Sequence, residues 1–409
     1  MIKANKIMFL KLSRALILSV ACLAACSVSS LSLADDTGTT TAANDSSSAF
    51  SKLGQNFTVS GFLTVTGGNI IGGGYGNNYS GPTQLIGVNC PCYTADWSNG
   101  GVYNNDFSLK PESRAGLQIQ YNFSPQFNFV GQAVVRGTEG TPNVNWAYFN
   151  YKLDDHWEVH VGRQRIPLYY YSPFQDAGFA YPWINVPPEL YGWDATNYNG
   201  ASLRYTNSFG NTNLTTSVFG GEEKVAQSAY YELSYPVGDN DVHWDSIVGA
   251  DAEINNGPLT VRWVYLQAKA SNFNNDVSPI IDSVANLKAY GMAVNLDFDS
   301  WFLLSEVTQL ERDYTTAPIY SYKAPASTIG VGWRFGSWTP FINYALYTQH
   351  NTPNLPAYAA ADYKRLSGTL RYDVDSNSDV KVQIDRNWDT TQNWGGNVNV
   401  FRISYDRVF

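Results

Sequence analysis

Between Asn56 and Phe409 the chain sets out sixteen short strand-like segments, joined alternately by two- to five-residue turns and by much longer loops. A sheet built this way is tight at one rim and loose at the other, so its two ends meet different surroundings. Closed antiparallel barrels that cross a bilayer have this asymmetry. The tight rim carries a near-repeat, Phe298-Asp299-Ser300-Trp301 and Phe335-Gly336-Ser337-Trp338. Looser versions are Phe123-Ser124-Pro125-Gln126-Phe127 and Leu153-Asp154-Asp155-His156-Trp157. Large aromatics flanking a polar turn form a girdle at one membrane interface.

Alternation within the segments assigns the faces, because successive side chains of a strand point to opposite sides. In 114–123, Ala115, Leu117, Ile119, Tyr121 and Phe123 share one face, opposed by Arg114, Gly116, Gln118, Gln120 and Asn122. In 365–374, Leu366, Gly368, Leu370, Tyr372 and Val374 oppose Arg365, Ser367, Thr369, Arg371 and Asp373. A soluble sandwich buries its apolar face. A wide barrel in lipid turns that face outward and lines water with the polar one. The polar set here is too rich in Arg, Gln, Asn and Thr for a packed core, which predicts a lumen. No apolar run of about 18 residues follows the N-terminus, so membrane-crossing helices are excluded from that region.

Upward strands are expected near 56–66, 126–136, 157–166, 213–221, 259–269, 301–311, 338–348 and 379–388. Downward strands are expected near 112–123, 144–153, 201–208, 247–255, 287–298, 327–335, 364–374 and 398–409. The apolar residues of 259–269 and 301–311 do not alternate cleanly. An even count puts both ends on the short-turn side. Nothing after residue 55 reads as a linker, so 55–409 is expected to be one all-β domain.

Lys3, Lys6, Lys11 and Arg14 precede an apolar stretch from Ala15 to Ala25, and Ser32-Leu33-Ala34 suits signal-peptide cleavage before Asp35. Leu23-Ala24-Ala25-Cys26 also matches a lipobox, in which Cys26 is lipidated, so two processing routes stand. The reading favours a leader over 1–34 and a low-complexity periplasmic segment over 35–54. The whole chain carries a net charge of −9. Without the leader, 22 Lys and Arg face 35 Asp and Glu, a net −13. That excess argues against nucleic acid as a partner. Cys90-Pro91-Cys92 lies in the first long loop, where a stapling disulfide, free or intermolecular thiols, and a metal site are open readings. A metal needs at least two further ligands, and none is near. With no nucleotide or metal motif, no cofactor is expected.

The last residues, Phe401 to Phe409, put apolar side chains at every second position and end on an aromatic, like the assembly signal of outer-membrane barrels; Arg407 departs from it. Further blocks are Asn145-Trp146-Ala147-Tyr148, Val161-Gly162-Arg163-Gln164-Arg165-Ile166-Pro167, Tyr181-Pro182-Trp183 and Pro187-Pro188-Glu189-Leu190-Tyr191-Gly192. On these residues the chain resembles the trimeric sixteen-stranded general porins of Gram-negative outer membranes, over about 56–409 and most sharply over 113–205. The resemblance implies a homotrimer in outer-membrane lipid that passes ions and small hydrophilic solutes. It also implies a third extracellular loop, here about 169–200, folded into the barrel with acidic residues facing basic wall residues. Asp176, Glu189 and Asp194 are the loop candidates.

Parity places Arg114, Arg136 and Arg204 on the polar face, joined by Arg262, Arg334, Arg365, Arg371, Lys381 and Arg402. The first three complete the expected constriction. Arg163 and Arg165 share parity with residues placed outside, so either Gly162 bulges and redirects them into the pore or they face a neighbouring subunit. Loop aromatics Tyr169, Tyr170, Tyr171, Phe179, Tyr181 and Trp183 either pack the loop against the wall or form a sugar-stacking slide. The second reading makes a substrate-selective channel; a non-conducting receptor or structural barrel is a third. Of the four histidines, His156 and His160 lie at one rim and His243 and His350 at the other, which suggests no catalytic constellation.

Overall fold

A computed structural model describes residues 56–74, 90–234, 239–274, 281–316, 319–353, 362–389 and 396–409. The expected leader, the segment 35–54 and Cys26 lie outside these residues. The chain is a closed sixteen-stranded antiparallel barrel. Its strands, in chain order with two short strands outside the barrel, are β1 (Phe57–Gly74), β2 (Tyr93–Asp96), β3 (Gly101–Tyr103), β4 (Arg114–Asn122), β5 (Phe127–Arg136), β6 (Asn143–Lys152) and β7 (Trp157–Arg165). There follow β8 (Asn197–Phe209), β9 (Thr212–Val225), β10 (Asn240–Asn256), β11 (Leu259–Asn274), β12 (Ile281–Asp297) and β13 (Trp301–Tyr314). The last are β14 (Ser321–Trp333), β15 (Trp338–Thr348), β16 (His350–Thr352), β17 (Asp362–Asp375), β18 (Ser378–Asp389) and β19 (Asn397–Val408). Strand β16 continues β15 along β14, which makes sixteen staves. The hairpin β2–β3 stands apart as its own two-stranded sheet.

Closure runs through β1, whose first half pairs with β4 and second half with β19. Each expected strand is present, including the two that did not alternate. At the short-turn ends Gly210, Gly257 and Gly336 supply the left-handed φ of 61°, 55° and 60° that tight hairpins need. The other ends run further than expected: β10 and β12 reach 17 residues, whereas β4 and β7 have 9. The wall is therefore high on one side and low on the other. At the short-turn rim Phe298 stacks on Trp301 at 4.7 Å, and Phe335 and Trp338 bridge each other while staying exposed.

The faces are inverted relative to a soluble sheet. Leu117, Leu366, Leu370 and Val374 are exposed, while Arg114, Arg365, Ser367 and Lys381 are buried. The interior differs from the expectation of a uniformly polar lining. Val264, Leu266, Phe302, Leu310 and Phe341 join Tyr169, Tyr181, Trp183 and Leu190 in one buried apolar cluster. That explains the strands that failed to alternate: in β11, Trp263 points out at 48% exposure while Val264 and Leu266 are buried, so both faces are apolar.

Candidate functional site

The polar part of the interior is built on one row of side chains crossing the barrel seam. Asp406 on β19, Thr64 on β1, Arg114 on β4 and Arg136 on β5 are successive cross-strand partners. The segment 166–196, between β7 and β8, meets this row. Asp176 accepts from Arg136 Nη2 at 2.8 Å, from Asn145 Nδ2 at 2.7 Å and from Arg165. Arg114 donates to the Asp176 carbonyl at 2.7 Å, to Asn185 at 3.1 Å and to the Tyr181 hydroxyl. Burial alone would raise the Asp176 pKa, but the charges of Arg136, Arg165 and Arg114 outweigh it and hold the carboxyl well below its usual range. Next along the segment, the Gly178 carbonyl accepts from Lys381 Nζ at 2.6 Å, and Lys381 also binds Asp406 at 3.0 Å. Thr64 donates to the other Asp406 oxygen at 2.5 Å.

The remaining loop carboxylates pair elsewhere on the wall. Glu189 binds Arg365 of β17 through two bonds of 2.8 and 3.0 Å. Arg365 also reaches Asp385, which Arg402 grips at 2.7 and 3.0 Å. Asp194 binds Arg312 of β13 at 2.5 Å. Arg262 donates to the carbonyls of Tyr169 and Pro167. The three candidate carboxylates thus bond arginines on three separate stretches of wall, and Arg114 and Arg136 are where parity put them.

Other candidates fall differently. Among the described residues none of the three carboxylates bonds Arg204, which stands opposite Glu158 in the β7–β8 ladder. Arg334 sits at the short-turn rim, half-exposed and paired with Asp297 at 2.6 Å. Arg312 was missed because the expected strand stopped at residue 311, whereas β13 runs on to Tyr314 and buries Arg312. Gly162 adopts φ 135°, a conformation open to glycine. The arginines after it turn to carboxylates: Arg163 makes a bidentate pair with buried Glu223 at 2.7 and 2.8 Å, and Arg165 binds Asp176. Cys90 and Cys92 are joined in a disulfide beside the β2–β3 hairpin.

The loop aromatics pack. Tyr169, Tyr171, Tyr181 and Trp183 are buried, Trp183 sets its edge on Phe341 at 5.1 Å, and Tyr169 lies 4.4 Å from Tyr191. Phe179 holds the Arg371 guanidinium at 4.8 Å from its ring centre. Among the described residues no cluster of His, Cys, Asp and Glu has the make-up of a metal site. His160 approaches Glu158 at 3.5 Å and His156 bonds the Thr206 carbonyl at 3.0 Å.

No protein-family model matches the chain, and no curated protein matches its sequence. Solved structures do resemble it. The outer membrane channel DcaP of Acinetobacter baumannii aligns with a TM-score of 0.56 at 12% identity, covering 86% of this chain and 97% of that one. An anion-selective porin from Comamonas acidovorans aligns at 0.52 and 13% identity, over 86% of this chain and 99% of that one. The trimer form of OmpT, an outer membrane protein of Vibrio cholerae, aligns at 0.51 and 12%, over 86% and 99%. At these identities the likeness concerns the fold: the chain has the architecture of the outer-membrane porins.

Proposed function

We propose that the chain forms a water-filled channel in a bacterial outer membrane, through which ions and small hydrophilic solutes diffuse passively. The observation that carries this is the inverted barrel, apolar outside and charged within, which only a membrane setting makes stable. In this reading segment 166–196 folds into the lumen and sets its narrowest point. Its bonds to Arg136, Arg312 and Arg365, far apart around the wall, support that placement. The chain works without a cofactor and without catalysis, is exported by a cleaved leader over 1–34, and assembles as a homotrimer in outer-membrane lipid.

Conductance of the purified protein in a planar bilayer tests the reading. Discrete steps in potassium chloride are expected. Properly folded protein that inserts and never conducts would replace the channel with a receptor or structural barrel.

A further inference from the structure

A cavity of about 170 Å³ lies against Asp176, on the side toward the short-turn rim. Its floor is a row of three inward side chains on adjacent strands. Gln118 of β4 is the cross-strand partner of Gln132 of β5, and Gln132 is the partner of Trp146 of β6. At about 4.8 Å between strands the row spans roughly 10 Å. Phe174, from the loop turn Ser172–Phe174, lines the same cavity and keeps 38% of its surface exposed.

The chemistry of this slot is specific. Gln132 Nε2 donates to Gln118 Oε1 at 3.1 Å, which leaves Gln118 Nε2 as a donor and Gln132 Oε1 as an acceptor side by side. The indole and phenyl rings add two apolar faces. Asp176 is the one charged residue of the lining, and both its oxygens are taken by Arg136, Asn145 and Arg165. A charged solute therefore meets no free counter-charge there. A ring with apolar C–H faces and alternating hydroxyl donors and acceptors matches the two amides and the two rings. The volume is below the roughly 300–1,000 Å³ of drug-sized pockets, which suits one ring and not a chain of them.

We infer that Gln118, Gln132, Trp146 and Phe174 form a subsite for neutral, polyhydroxylated solutes of single-ring size, such as a hexose. The subsite rests on the channel reading and narrows it: a sugar is retained briefly beside the loop before it passes. Retention must stay weak, since a solute that binds tightly blocks the path it uses. The buried loop aromatics play no part in it.

Calorimetric titration of the full chain in detergent with glucose, gluconate and glucosamine tests the inference. Glucose is expected to bind with a dissociation constant in roughly the millimolar range, more tightly than either charged analogue. Trp146→Ala and Phe174→Ala should each weaken binding about tenfold, the loss expected when one ring face leaves a stack. Gln132→Leu should weaken it comparably, whereas Trp146→Phe, which keeps a ring, should retain most of it. Far-ultraviolet circular dichroism and retained heat-modifiability identify variants that fold. Absence of glucose binding, equal or tighter binding of a charged analogue, or indifference of folded variants would each overturn the subsite. Conduction of potassium chloride without glucose binding defeats the subsite alone. Glucose binding without conduction supports the pocket and defeats the channel.

Discussion

Glu189 and Arg365 stand 176 residues apart in sequence and face each other across two bonds of 2.8 and 3.0 Å, both side chains buried. A buried pair gains little over well-packed apolar groups, but removing one partner strands the other. Arg365→Met leaves Glu189 without its cation and should cost about 3–5 kcal/mol. Glu189→Gln should cost less, because Arg365 keeps Asp385 at 3.1 Å. Thermal unfolding of the two variants in detergent gives the order; equal losses would mean that Asp385 does not compensate.

Charge preference should follow the loop carboxylates. Replacing Asp176, Glu189 and Asp194 together by their amides unmasks Arg136, Arg165, Arg365 and Arg312 on the channel wall. The zero-current potential across a salt gradient should then shift toward anions. A folded triple variant with unchanged ion preference would remove segment 166–196 from the conduction path.

Asp176 should make its part of this latch insensitive to mild acid. Its native pKa is depressed, so its contacts contribute fully above the ordinary carboxylate value of about 3.9. They are lost only as pH falls through the lower native value. Ion preference attributable to Asp176 should therefore hold from neutral pH to about pH 4. A transition centred between about pH 5 and 7 that vanished in Asp176→Asn would contradict this.

Gly162 separates two kinds of glycine. At φ 135° a side chain there would also press on the Ala147 carbonyl and Tyr148, so Gly162→Ala should cost about 1–3 kcal/mol and disturb the Arg163–Glu223 pair. Gly210 has φ 61° with open space around it, a conformation asparagine accepts, so Gly210→Asn should stay within about 0.5 kcal/mol. Equal effects on the melting temperature would argue against strain at Gly162.

The proposed homotrimer should appear as a slow-migrating band in unheated gels that collapses to monomer on boiling. The outer faces of the early strands carry stacked rings, with Phe123 and Phe127 at 5.0 Å and Phe127 and Phe149 at 5.6 Å, Phe149 staying 45% exposed. A monomer band alone without heating would contradict the assembly.

Much of this was legible in the amino acids because lipid imposes a period of two on the outward face. The outward set Leu366, Leu370 and Val374 has to be apolar whatever lies within, so alternation located strands wherever the inner face was polar. It blurred on β11 and β13, where Val264, Leu266, Phe302 and Leu310 meet the loop's own aromatics and the inner face became apolar too. Arg312 lay one position past the expected end of its strand at 311. The loop carboxylates could be named, and Arg114 and Arg136 placed, but pairing could not be read. Glu189 chooses Arg365 and Asp194 chooses Arg312 because of how the loop lies, and local pattern carries no record of that.

Gly178 gives the seam a further meaning. It lies so close to the side chains of Asp406 and Thr64 that an added Cβ would force them to shift, and its carbonyl is held by Lys381. Asp406 and Thr64 belong to the last and first staves, 342 positions apart. Without pairing of those staves Gly178 lacks this seat, although Asp176, two residues earlier, still has Arg136, Asn145 and Arg165 on β5, β6 and β7. The loop's hold on β4 to β7 and its seat on the seam are therefore separable, and only the second requires the first and last staves to be paired in register.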